Sequence, residues 1–426
     1  MAIKHLTYAA IPLIAASLNT QAATVDQLNR QVQKLNQRLA AQDQRFRVNG
    51  FASFGFAISD EEMAYNGVGD EISFNRFSKA GVQMTFNMDP KNSVVMQLVS
   101  RGENNWETNA EWAYFKHEFG GGLSGKIGRI RLPAYQLSEF LDVGYATPYA
   151  QVPAETYDSL DPFSNMEGVD LSYTMDVGDN TATFQFVYGR AKDNEFDLKD
   201  ILGLSGVFQS DVWSARLGYA TASVDIVEPD AVDAVTNVYA KETTDLDGSF
   251  LSIGFTYDPG DLYFTTEYTQ LEADGPIVDA DALYATVGYR MGRLMPTLTY
   301  AMAESQDDDE RTYDAVFADN AAVAAGFGDL ATLQAAAAGG NTTAQGVIAG
   351  VEGIQAASDR NTTRIGLGLR YDMSPGTALK VQYDIVEVKD DKSGLFDDTA
   401  WATNSANGAA NPDGTNVLTI SIDTVF

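Results

Sequence analysis

From residue 47 onward the chain is written in period two. In Leu251, Ile253, Phe255 and Tyr257 one face of an extended segment is apolar, while Ser252, Gly254 and Thr256 face the other way. The run 363–371 sets Ile365, Leu367 and Leu369 against Arg364, Gly366, Gly368 and Arg370, and the last run sets Leu418, Ile420 and Ile422 against Thr419, Ser421 and Asp423. Such alternation marks strands with two unlike faces. Sixteen runs are legible, at 47–58, 72–88, 93–102, 109–119, 124–132, 167–176, 181–190, 202–208, 212–224, 249–257, 262–271, 282–290, 295–302, 363–371, 377–388 and 416–426. A soluble sandwich would bury the apolar faces in a core. A transmembrane barrel would turn them to lipid and keep the polar faces for a lumen. Alternation fits both.

The links between runs separate the two. After every even-numbered run the link is roughly three to five residues of turn chemistry, as in Asp89-Pro90-Lys91-Asn92 and Asp258-Pro259-Gly260-Asp261. After the odd-numbered runs the links are longer. Strict short–long alternation describes an up-and-down barrel with both ends on the short-turn side, the pattern of outer-membrane barrels. Tyrosines fall at fixed places: Tyr173, Tyr257, Tyr289 and Tyr371 just before short turns, Tyr188, Tyr219, Tyr268, Tyr300 and Tyr383 elsewhere along the strands. Two aromatic belts at the lipid–water boundaries account for that placement. The fold class read from the sequence is therefore all-β: a 16-stranded antiparallel transmembrane β-barrel over 47–426, preceded by a short N-terminal coiled-coil helix.

Residues 1–22 read as a secretory signal peptide, with Lys4, an apolar run over Leu6–Leu18 and small residues up to Ala22. In 24–46, Val25, Leu28, Val32, Leu35, Leu39 and then Phe46 occupy a and d positions, the seam of a periplasmic coiled coil. An amphipathic helix lying on its own domain is the alternative. The chain has no Cys, so stability must come from topology rather than from disulfides.

The segment 133–166 interrupts the pattern. It follows a strand carrying Ile127, Arg129 and Arg131, which alternation places on one face, and it holds Leu137, Phe140, Leu141, Val143, Tyr145 and Tyr149. A long link this apolar packs against something, and it is expected to fold into the barrel. Its carboxylates Glu139, Asp142 and Glu155, opposite Arg129 and Arg131, suggest a charged pore constriction. Arg101, Arg216, Arg364, Arg370 and Lys380 fall on faces assigned to the lumen. A transverse field across a narrow opening would orient dipolar solutes and exclude apolar ones.

The full chain has 28 basic and 59 acidic residues, and removing Lys4 with the signal leaves 27 − 59 = −32. Much of the acid lies in the long links, either as a solvated rim or as sites where divalent cations bridge to lipopolysaccharide. No cofactor, no resident metal site and no nucleic-acid partner is expected; with one histidine in the mature chain and no Cys, zinc chemistry lacks ligands.

These residues resemble the trimeric general porins of Gram-negative bacteria. Gly128-Arg-Ile-Arg-Leu-Pro followed by Ser138-Glu-Phe-Leu-Asp-Val-Gly-Tyr145 is similar to their fifth strand and inward-folding third loop. The terminal Phe426 is similar to the signal they present to the barrel assembly machinery. The resemblance implies an outer-membrane homotrimer with one pore per chain, passive diffusion of small hydrophilic solutes and ions, and eyelet residues at Arg129, Arg131, Glu139 and Asp142. The segment 24–46 is instead similar to porins of the dicarboxylate type, which leaves a substrate-selective channel for anionic, carboxylate-type solutes as the alternative. A structural tether is a further rival. An enzyme is not expected, since His117 falls near a short turn and no catalytic constellation surrounds it in the sequence.

Overall fold

The computed structural model describes residues 45–426 except 159, 161–163, 194–195, 227–243, 275–276, 307–320, 324, 391, 398–399, 402 and 405–408, and the backbone alone of 352–358. The signal peptide and the seam residues Val25, Leu28, Val32, Leu35 and Leu39 lie outside the described residues. Phe46, read above as the end of the seam, is instead the first residue of a strand.

Val48–Phe426 form one compact unit. Its strands are β1 (Phe46–Ser59), β2 (Lys79–Asn87), β3 (Asn92–Arg101), β4 (Thr108–Gly120), β5 (Leu123–Arg131), β6 (Asn165–Val177), β7 (Asn180–Lys192), β8 (Phe196–Gln209), β9 (Trp213–Ile226), β10 (Leu246–Tyr257), β11 (Leu262–Ala273), β12 (Ala280–Tyr289), β13 (Leu294–Ser305), β14 (Asn361–Ser374), β15 (Thr377–Val388) and β16 (Gly414–Val425). They close into one barrel in sequence order, each beside its chain neighbours and β16 beside β1. The last pair runs antiparallel from Phe51↔Val425 to Ser59↔Val417. Gly50 and Phe426 then exchange both backbone hydrogen bonds, at 2.7 and 2.9 Å. A Cβ at Gly50 would meet the Phe426 ring at 2.4 Å, so a larger residue there would displace that ring.

The two faces sort as the sequence requires. Ile127, Phe184, Leu204, Leu217 and Leu367 are each more than half exposed on the outside, whereas Ser252, Thr265, Thr286 and Gln382 are buried inside. An exterior this apolar is stable only against lipid. Tyr173, Tyr289 and Tyr371 stand exposed on the short-turn side, and Tyr188, Tyr219, Tyr300 and Tyr383 further along the strands. The short turns carry their own capping: the Asp89 carboxylate accepts from the backbone N–H groups of Lys91 (2.8 Å) and Asn92 (3.0 Å).

Two strand boundaries differ most from the sequence reading, the others by three residues or fewer. Residues 72–78 belong to the outer link, where Ser73 forms an isolated bridge to Ala57 and Asn75 carries the turn into β2. The link after β7 shrinks to 193–195, because β8 starts at Phe196 and not at 202. The described part of the link after β13 includes the helices α2 (Leu330–Ala338) and α3 (Thr342–Ser358), packed through Leu333 and Ala344. The one-turn helix α1 (Ala154–Tyr157) lies in the link after β5.

Candidate functional site: the inward loop and its opening

The link 132–164 lies inside the barrel and is held there by the far wall. The Gln136 N–H donates to Glu267 of β11 (2.6 Å), and the Tyr157 hydroxyl donates to the other oxygen of the same carboxylate (2.6 Å). Tyr149 meets Thr286 of β12 (2.8 Å). Gln382 of β15 accepts from the N–H groups of Ala150 and Gln151 and donates to the Gln151 carbonyl. Behind these contacts the loop's Tyr135, Tyr149 and Tyr157 pack with Ile130, Met166, Val187, Phe250 and Tyr284 of the wall into a buried apolar cluster. Each such side chain contributes about 1.5–3 kcal/mol on burial. That side of the lumen is therefore a core, and burial pushes the hydroxyls of these three loop tyrosines well above their usual range.

Most of the basic residues assigned to the lumen serve this docking. Lys380 donates to the Tyr149 carbonyl (2.8 Å) and to Gly144, and pairs with Asp423 (3.0 Å). Arg370 donates to the carbonyls of Tyr145 (2.8 Å) and Thr147 (3.0 Å) and stacks on the Tyr145 ring. Arg216 donates to the Pro133 carbonyl and to Ser252. Arg364 is buried between Glu155 (3.1 Å) and Asp384 (3.5 Å). The link thus ties down its exposed backbone with cations, which is how an irregular segment survives inside a barrel.

Glu155 was read as a constriction residue, but it is fully buried in this clamp, where it also accepts from the Tyr65 hydroxyl (3.2 Å). Tyr65 belongs to the outer link after β1 and packs with Phe396 and Trp401 of the link after β15.

On the near side a cavity of about 590 Å³ remains between 144–158 of the loop and the wall from β1 to β5. Asp142 sits at its edge, accepting from Arg131 (2.7 Å) and Arg101 (2.8 Å), with the Lys79 ammonium at 3.6 Å. Burial pushes the Asp142 carboxyl up, but Lys79, Arg101 and Arg131 more than offset this and hold it well below the usual carboxylate range. Glu111 completes the cluster, accepting from Arg101 at 2.6 Å and lying 3.7 Å from Arg131. The register of β3 and β4 shifts beside it, between Gln97 and Leu98. A bulge of this kind re-aims a side chain.

The expected shared face of Ile127, Arg129 and Arg131 is not kept. Ile127 is on the exterior, Arg131 is in the cluster, and Gly128 between them has φ +131°. Arg129 reaches the edge of the cavity, but its guanidinium pairs with Glu167, its cross-strand neighbour. Glu139 is exposed on the loop, and among the described residues no ion pair joins it to the arginines that hold Asp142. Of the five predicted constriction residues, contact therefore unites Arg131 and Asp142. Lys79 and Asp423 were missed. Lys79 could have been found as the inward partner of Arg101, since the two face each other across β2 and β3.

No family model matches the chain, and no curated protein matches it either. Solved structures do. An anion-selective porin from Comamonas acidovorans aligns over 89% of this chain and 99% of its own, at 13% identity and TM-score 0.56. Salmonella typhi OmpF, in complex with daunomycin, aligns over 89% and 97%, at 13% identity and TM-score 0.54. OmpT of Vibrio cholerae, an outer membrane protein in its trimer form, aligns over 89% and 99%, at 11% identity and TM-score 0.53. At these identities the likeness is one of fold: this chain has the barrel fold of porins.

Proposed function

We propose that this protein is an outer-membrane porin of a Gram-negative bacterium, a water-filled pore for passive diffusion of small hydrophilic solutes and ions. The observation that carries the reading is the link 132–164, folded into the lumen and docked on one wall so that an opening persists along the other. A loop placed there narrows a channel and has no evident use in a barrel that only anchors or tethers. The apolar exterior supports the membrane, and the fold shared with the Comamonas porin supports the function.

The opening favours weak ionic preference over a dedicated anion channel. Its lining has five cations (Arg76, Lys79, Arg101, Arg129 and Arg131) against five carboxylates (Glu103, Glu111, Asp142, Asp158 and Asp423). The remaining basic residues are spent on loop carbonyls and buried acids. The pore is read as non-enzymatic: His117 sits at the short-turn end of β4, its Nδ1 2.7 Å from the Asn92 amide oxygen and its ring against Phe119. Assembly as a homotrimer follows from analogy with the trimer form of the Vibrio protein, and Phe426, at the barrel seam, is the residue offered to the assembly machinery.

The test is a planar bilayer under a salt gradient. Three equal conductance steps with a small reversal potential support the reading. A strong anion preference would favour the carboxylate channel instead, and absence of any conductance would remove the pore altogether.

A further inference from the structure

A water-filled pore keeps polar groups on its inward strand faces, and one patch of this lumen does not. It lies in the outer part of β8 to β11, toward the long links. Nearer the short turns the same inward faces are polar: Arg216 on β9, Ser252 on β10 and Glu267 and Thr269 on β11 are buried there. A step or two further out the inward positions become Ala220, Ala222, Phe250 and Leu271. Leu202, Tyr219 and Ile253 are exposed on the lipid side of the same strands. The outer ends are thus apolar on both faces, which alternation does not explain.

The patch surrounds a cavity of about 160 Å³. Leu132 and Leu160 bound it from either end of the inward loop, and Ile201, Ala222, Phe250 and Leu271 line its wall. Apart from Thr221 and Ser249, every lining residue is apolar or glycine. Packed interiors leave few voids larger than one water, and this cavity has room for about five. A dry cavity of about 150 Å³ lined by Leu, Ile and Phe accepts one benzene ring, and the volume here matches it. The cavity shares no lining residue with the opening against β1 to β5.

Its outer margin is acidic. Asp247 precedes the lining residue Gly248, Asp274 follows Ala273, and Asp279 stands two residues after Ile277. Hydrogen bonds gather these carboxylates: the Asp247 N–H donates to Asp274 (3.3 Å) and the Ala273 N–H to Asp279 (2.7 Å). The strands β10 to β13 contain no Lys or Arg, and Lys199 of β8 is paired with Asp225. A margin of one sign concentrates ligands of the other. We propose that the cavity binds the apolar group of an amphiphilic organic cation, a phenyl-sized ring on a short ammonium arm, and holds it in the outer vestibule beside the base of the inward loop. The solute's route to the site rests on the pore reading above; the binding itself does not.

The experiment is fluorine NMR of the purified protein in lipid nanodiscs, titrated at neutral pH with para-fluorobenzylammonium. Empty nanodiscs give the reference for partition into lipid. The wild type should bind the probe saturably. Ala222→Phe places a ring in the cavity and should weaken binding by about 10-fold or more, with conductance unchanged. Fluoropropylammonium, which lacks the ring, should bind the wild type at least about 10-fold more weakly, and para-fluorobenzoate about threefold more weakly. These two comparisons need no variant and cover the case in which Ala222→Phe fails to fold. Asp247→Asn with Asp274→Asn should shrink the difference between the ammonium and carboxylate probes. Equal binding by wild type and folded Ala222→Phe would overturn the proposal, as would equal binding of the ringed and ringless probes or a preference for the benzoate. Absence of saturable binding in a protein that conducts sinks this proposal alone, whereas saturable binding without conductance keeps the site and sinks the pore.

Discussion

The two sides of the lumen use the same residue types for different ends. On the side of β9 to β15, Arg216, Arg364, Arg370 and Lys380 are turned inward and consumed: they hold loop carbonyls, Glu155, Asp384 and Asp423. On the side of β2 to β5, Lys79, Arg101 and Arg131 gather on Asp142 and Glu111 beside a cavity. The first set is structural (the dry side); the second borders the opening (the wet side), where Lys79 and Arg101 keep 23% and 17% of their side chains exposed although Asp142 and Glu111 are buried beneath them. An inward-pointing arginine in a barrel is thus not evidence of a selectivity filter until its partner is known.

The largest expected effect lies on the dry side. Arg364→Met leaves Glu155 and Asp384 buried without their cation, and loss of one partner of a buried pair costs about 3–5 kcal/mol. Urea unfolding of the detergent-solubilised barrel should register this as a lower midpoint, with Glu155→Gln restoring part of it. An Arg364→Met midpoint equal to that of wild type would mean the two sides do not differ in the way described.

On the wet side the effect should be on ions rather than on stability. Asp142→Asn removes one charge from the edge of the opening. At about 5 Å in water that is about 0.8 kcal/mol, roughly a fourfold gain in anion entry. The reversal potential should move accordingly. The sign with pH is fixed by the depressed carboxyl. A depressed group keeps its contribution above its unfolded value, near 3.8, and loses it only as pH falls through the lower folded value. The difference between Asp142→Asn and wild type should therefore stay constant from pH 8 to about 4, and a difference that fades between pH 7 and 5 would contradict the cluster.

Smaller still is Tyr149→Phe, which removes one hydroxyl contact to Thr286 at a cost of about 1 kcal/mol. The expected reading is more frequent brief closures at unchanged mean conductance. Smallest is Glu139→Gln: exposed and outside the cluster, it should alter stability by less than about 0.5 kcal/mol and selectivity less than Asp142→Asn does. Equal shifts from the two variants would place Glu139 in the opening after all.

Alternation made the strands legible because each has lipid on one side and polar groups on the other, a contrast that survives in sequence. All sixteen appear where period two placed them, and their outer ends slip by a few residues because the contrast fades at the rim, as at Phe196–Ile201. The inward loop was legible as a composition, too apolar for a tether. Its docking was not, since the partners of Gln136, Tyr149 and Lys380 lie more than a hundred residues away. Strict alternation also failed at Gly128, whose φ of +131° admits a break in the pleat, and at the bulge that aims Glu111. These local departures decide which charges meet in the opening.

The pairing of β1 with β16 joins the two ends of the described chain, Phe51 to Val425. Every other strand pair joins segments adjacent in sequence, so this seam has by far the longest loop to close and should form last. Until it does, the nascent sheet has two bare edges, and bare edges recruit other strands. Assembly is then a race between closure and mispairing. The contestants at the finish are Gly50 and Phe426, whose reciprocal hydrogen bonds form only once the whole circuit has been laid down.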